Sequence, residues 1–207
     1  MSEFWNDQVT DKSWKTLLEL AKEADFVLIG GWAVYLWTHG LKSKDIDLIT
    51  DYEGLGKLAK HGLKKNERLA KYEIRIGETD ADIYVPYYSK LAVPCQEVME
   101  RARKVEGLKT ASAEDLLLLK QQAEIARRGT VKGQKDAIDL MLLASRAGVD
   151  WKNYAKIAKE NGLHGYDREL ARVAKNFDLK NLKYVEMNPA EFKKFKQRLL
   201  ASLKIAE

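Results

Sequence analysis

The chain has 207 residues, 45% hydrophobic and 32% charged, with a formal net charge of +5. This allows one full domain, or a compact domain with an appended one, each with a real core. No apolar run approaches the roughly 20 residues of a membrane span, the N-terminal stretch lacks the apolar core of a leader, and the single cysteine, Cys95, excludes an intrachain disulfide and predicts a reducing, cytoplasmic setting.

The charge is unevenly spread. Residues 1–108 carry 16 Lys and Arg against 18 Asp and Glu, a net of −2, whereas residues 109–207 carry 20 against 13, a net of +7. A basic half attracts a polyanion such as RNA or the phosphates of a nucleotide, or forms a lysine-rich wet surface.

Taken in chain order, residues 11–23 space Trp14, Leu17, Leu18 and Ala21 at helical intervals. The apolar run 26–29 predicts a strand ending in Gly30-Gly31. Residues 31–39 predict a short helix with Trp32, Tyr35 and Leu36 on one side and Gly40 as its stop. A second strand follows at 45–50 and a helix at 53–63, ending at Gly62. Residues 68–76 alternate as a half-buried strand does, 77–80 make a turn, and 81–87 form another strand. A helix at 94–103 and an extended piece at 104–109 lead out of this mixed layer of three or four strands.

Beyond that point the pattern is helical. Ser112-Ala113-Glu114-Asp115 has the form of a helix N-cap with acids in the first turn, and the helix runs over 116–128 to Gly129. Helices at 134–146, 150–161 and 166–177 follow, and Pro189 opens a last one. The predicted fold class is α+β: a small mixed-sheet domain over 1–108, flanked by helices, and a helical domain over 109–207.

The segment 26–50 carries the chemistry. Asp45 and Asp47, two apart on a strand, share a face, with Cα atoms about 6–7 Å apart. Both carboxylates can then converge on one hard cation, and magnesium takes oxygen ligands together with a nucleotide's phosphates. A third acid comes from Asp82, on the same strand face as Tyr84; Asp80 shares that parity but sits in the turn. Three crowded carboxylates need cations to neutralise them, and two magnesium ions about 4 Å apart would clamp both the attacking and the leaving oxygen. Asp82 is the choice for accepting the proton of an attacking hydroxyl. Gly30 and Gly31 let the backbone approach a phosphate, the helix after them offers free N–H groups, and the Lys42-Ser43-Lys44 run before the acids supplies further phosphate contacts.

An apolar strand, Gly30-Gly31, a short helix, Asp45-Ile46-Asp47 and a later Asp82 together resemble the DNA polymerase β-like nucleotidyltransferase superfamily. The resemblance implies transfer of a nucleoside monophosphate from an NTP, such as ATP, to an acceptor, with pyrophosphate leaving. Residues 112–139 are in turn similar to the helical part of AbiEii-like nucleotidyltransferases, known mainly as toxins of toxin–antitoxin pairs. Lys120, Arg127 or Arg128, Lys135, Asp136 and Asp139 occupy that family's charged places. By this resemblance Lys120 contacts the triphosphate and Asp136 orients it, with an antitoxin as a possible partner. The alternative for Lys120 is a surface salt bridge between two helices. The family often has an arginine before its acid pair, where this chain has Leu41-Lys42-Ser43-Lys44.

Other residues read as structural. His39, His61 and His164 lack zinc-ligand spacing, and His39 suits a helix cap. Trp32 and Trp37 suit the core, Cys95 suits packing, and Lys193, Lys194 and Lys196 suit a wet helix face. Tyr84 is placed for substrate contact, with Tyr87 and Tyr88 as weaker candidates. The functional expectation is a magnesium-dependent nucleotidyltransferase acting on tRNA or other RNA, a protein or a small molecule. The alternatives are a non-catalytic nucleotide- or RNA-binding protein and a toxin-like component held by a partner.

Overall fold

The computed structural model describes residues 7–205, with side chains to 203. The first six residues of the N-terminal stretch read above lie outside the described residues. The chain divides into two compact units between Ser112 and Ala113.

The first unit is built on one seven-stranded sheet. Its elements are α1 (Asp7–Glu23), β1 (Val27–Ile29), α2 (Gly30–Thr38), β2 (Ile46–Ile49), α3 (Tyr52–Leu58), β3 (Lys64–Asn66), β4 (Lys71–Ile76), β5 (Thr79–Tyr84), α4 (Cys95–Glu100), β6 (Arg103–Val105) and β7 (Leu108–Thr110). The strand order is β3-β4-β5-β2-β1-β7-β6. β1 runs antiparallel to β2, β2 parallel to β5, and β1 parallel to β7.

β3 was not foreseen, and the extended piece expected at 104–109 is the pair β6 and β7; each of these strands is three residues long. β3 and β6 are the two edges and read Lys-Lys-Asn and Arg-Lys-Val. Charged edge strands resist pairing with other chains, and the same charge hides them from a search for apolar alternation. The expected join at residue 108 falls at the start of β7, which pairs with β1 through Leu28 and Thr110.

Local differences have local causes. α1 buries Thr10, Ser13, Thr16, Leu17 and Leu20, leaving Leu18 exposed, a face rotated from the expected one. Ser13 turns inward because its Oγ accepts the indole N–H of Trp32 at 2.9 Å. Trp32 itself is 1% exposed, a core residue. α2 ends at Thr38, two residues before Gly40, capped by His39 in the left-handed conformation at φ 50°, with its N–H donating to the Tyr35 carbonyl. The β4–β5 turn is tighter than expected, so Asp80 lies on β5 opposite Arg75 rather than in the turn.

The second unit is entirely helical: α5 (Ala113–Arg127), α6 (Val131–Arg146), α7 (Trp151–Glu160), α8 (Tyr166–Lys175), α9 (Leu182–Val185) and α10 (Pro189–Ile205). α6 begins where Thr130 accepts the Gly133 N–H, and α7 where Asp150 accepts the N–H groups of Lys152 and Asn153. The four-residue α9 and the 3₁₀ turn Leu179–Asn181 before it are too short to have shown a period. Among the described residues, no helix is long and apolar enough to cross a membrane.

Candidate active site

β1 delivers the chain to Gly30 at φ +67°, where the backbone turns directly into α2. This is a left-handed conformation that glycine adopts without cost. The geometry shows a second need for glycine there. A Cβ on Gly30 would stand 2.0 Å from Asp47 Oδ2 and 2.7 Å from Asp47 Cβ. The space over Gly30 is thus filled by the Asp47 side chain, which β1–β2 pairing sets opposite Ile29. Replacing Gly30 by alanine should therefore cost about 1–3 kcal/mol in backbone strain alone and displace Asp47 as well. Urea unfolding would measure the first effect.

Asp47 and Asp82 are direct register partners on the adjacent parallel strands β2 and β5. Register partners share a sheet face, and neighbouring strands lie about 4.8 Å apart, so the two carboxylates stand side by side. Asp45 sits in the bend before β2 rather than on the strand. Its side chain is 35% exposed, and Lys44 Nζ lies 4.0 Å from its Oδ1.

The sequence did not reveal the lysine beside Asp82. Lys71, on β4, places its Nζ 2.5 Å from Asp82 Oδ2 and 3.1 Å from Glu73 Oε1, with only 10% of its side chain exposed. Glu73 is the β4 register partner of Asp82, and its Oε1 also accepts from Asn66 Nδ2 at 2.8 Å. Lys71 and Glu73 read as solvated positions on an alternating strand, and only the sheet pairing places them beside an acid.

The charges pull against one another. Burial pushes the Asp82 carboxyl above the ordinary range; Lys71 opposes this, while Glu73 and Asp45 add to it. Burial works against the Lys71 ammonium, but Asp82 and Glu73 outweigh it and raise Lys71. Among the described residues, no three His, Cys, Asp or Glu are gathered as a metal-holding group.

The phosphate candidates are spread out. Lys42 pairs with Asp11 at 3.1 Å on an exposed surface, a kind of contact worth little and easily exchanged. Ser43 is buried at 7% exposure. Gly31, the second residue of α2, is buried. Tyr84 is two residues beyond Asp82 on the same face of β5. Tyr87 is 97% exposed, and Tyr88 stacks on Tyr72 with ring centroids 5.3 Å apart.

Lys120 and Asp136 belong to the helical unit and form a buried ion cluster there. Lys120 Nζ lies 3.2 Å from Asp136 Oδ1 and 2.7 Å from Asp139 Oδ2. Arg127 donates twice to Asp136, through Nε at 2.5 Å and through its terminal nitrogen at 2.9 Å. Lys135 reaches Asp139 at 3.2 Å. The contact between α5 and α6 is buried rather than a surface salt bridge, with Lys120 only 9% exposed and Asp136 1%. The remaining candidates are structural: Cys95 is buried, its thiol pushed up to about 12 by burial, and His61 pairs with Glu23 at 2.6 Å.

No protein-family model matches the chain, and no curated protein matches it. Solved structures do. A candidate nucleotidyltransferase from H. pylori is similar over 98% of this chain and 96% of its own, at 13% identity and a TM-score of 0.51. The antibiotic-resistance factor ANT(2'')-Ia, in its solution structure, is similar over 88% of this chain and 100% of its own, at 14% identity and a TM-score of 0.50. The mixed sheet with Gly30, Asp47 and Asp82 at its centre, and the helices around it, thus make up a nucleotidyltransferase-like α+β fold.

Proposed function

We propose that the chain is a magnesium-dependent nucleotidyltransferase that moves a nucleoside monophosphate from an NTP to an acceptor hydroxyl. One observation carries the reading: Asp47 and Asp82 are paired in register, with Asp47 packed on the Gly30 turn that opens α2. Asp45 and Asp47 offer the hard carboxylate oxygens that magnesium takes, and they would hold it, with Asp82 as the third ligand and two ions as the full complement. Bound there, magnesium supplies charge neutralisation at the phosphates.

The chain's own residues divide the remaining work. The first N–H groups of α2, at Gly30 and Gly31, face the phosphate tail, and Lys42, Ser43 and Lys44 supply further contacts to it. The acceptor oxygen attacks the α-phosphorus, and the bond from that phosphorus to the bridging oxygen breaks. Pyrophosphate leaves with the bond's electron pair. The acceptor proton passes to Asp82 through Oδ1, since Oδ2 is engaged by Lys71.

The acceptor distinguishes subtypes. The pattern over 112–139 supports the toxin-type reading, with tRNA as acceptor and an antitoxin as partner; the fold shared with an antibiotic-resistance factor supports a small hydroxylated molecule. Incubation with each α-labelled NTP, magnesium, and total tRNA or an aminoglycoside decides between them by which product carries label. NTP binding with no pyrophosphate release, across all acceptors, would make the chain a nucleotide-binding protein instead.

A further inference from the structure

We infer that Lys71 is a positioning residue: its ammonium is a built-in counter-cation that keeps Asp82 beside Asp47 whether or not magnesium is bound. The inference rests on the proposed metal site and goes beyond it. Asp47, Asp82 and Glu73 bring three carboxylates into consecutive register across three strands, and Asp45, in the bend before β2, adds to the repulsion that Asp82 feels. Like charges at this spacing repel and destabilise the pairing that brings them together. Two ions could neutralise them, but a fold that depended on bound ions would loosen each time they left.

Lys71 removes that dependence on one side of the cluster. Its Nζ contacts both Asp82 Oδ2 and Glu73 Oε1, and its side chain is 10% exposed. A lysine is seldom buried so deeply unless it is paired. Lys71 stands on the β4 side of Asp82, whereas Asp47 is the register partner of Asp82 on the other side, on β2. Asn66, donating to the same Glu73 oxygen, fixes the partner that Lys71 shares with Asp82.

The test is thermal unfolding with and without magnesium, alongside calorimetric titration of magnesium into the wild type. The wild type should bind magnesium yet change its midpoint little. Lys71→Met should lose about 5 °C or more without magnesium and recover most of that loss at millimolar magnesium, because an ion then takes over the neutralisation. Lys71→Arg should behave as the wild type does. In Lys71→Met/Asp82→Asn the magnesium-dependent recovery should disappear, since the charge to be neutralised is gone. A Lys71→Met midpoint lowered equally with and without magnesium, or a variant unfolded in both, would make Lys71 a packing residue and overturn the inference. A wild type that binds no magnesium would instead remove the metal site itself, an outcome the titration reports separately.

Discussion

Asp47→Asn should lower the rate of nucleotidyl transfer about 10³-fold or more while leaving the fold intact. The substitution preserves the shape that packs against Gly30, where a Cβ would stand 2.0 Å from Asp47 Oδ2, and removes only the charge. A metal clamp on the reacting phosphate is worth several kcal/mol of barrier, and each 1.4 kcal/mol is about tenfold in rate. Stability should move the other way or not at all. Asp82 feels the charges of Glu73 and Asp45 as repulsion, and Asp47 is its direct register partner, so losing one carboxylate relieves the cluster. Function and stability thus oppose each other at this site, as is common where a site gathers like charges. Pyrophosphate release at saturating NTP and magnesium measures the first effect, and thermal unfolding by circular dichroism the second. An Asp47→Asn protein within tenfold of the wild-type rate would refute the assignment.

The second large effect lies in the helical unit, where Asp136→Ala should cost about 3–5 kcal/mol. Asp136 is 1% exposed and accepts from both Lys120 and Arg127. Its removal takes from Lys120 and Arg127 a buried carboxylate that both contact, and breaking a buried ion pair from one side leaves uncompensated charge. Guanidinium unfolding would measure the loss, and Lys120→Met, which leaves Asp136 paired with Arg127 and Asp139 with Lys135, should cost less. The pH dependence follows. Burial alone would raise the Asp136 carboxyl, but Lys120 and Arg127 outweigh it and hold it below the ordinary carboxylate range. A carboxyl lowered on folding adds stability that is fully present above its unfolded value and fades as pH falls through the folded one. The wild type should therefore lose stability more steeply than Asp136→Asn below about pH 4. Parallel acid slopes for the two proteins would count against the pairing.

Much of the first unit was legible because its signals are local. The apolar run into Gly30, the short helix after it and the acids flanking Ile46 lie within one stretch of chain, and each depends on a period or on a glycine. The helices of the second unit were legible for the same reason, Asp150 standing next to the turn it closes, although α6 opens on Thr130, ahead of the expected start at 134. Legibility failed where three-residue strands carried charge, as in β3 and β6, because a period of two cannot be read from three residues. It also failed for the face of α1, where the Trp32 indole, from another helix, turned the small polar Ser13 inward and left Leu18 outside.

The sequence by itself determined the order strand, glycine turn, helix, acid pair, and the kind of chemistry that order can support. Only the tertiary structure decided that Asp82 stands in register with Asp47, that the Asp47 carboxylate fills the space over Gly30, that Lys71 is buried against Asp82, and that Lys120 lies between Asp136 and Asp139. The reason is physical. Periodicity and turn chemistry act between neighbours along the chain, whereas a partner for a charge is chosen by strand register and helix packing between residues far apart in sequence, and no local rule encodes that choice.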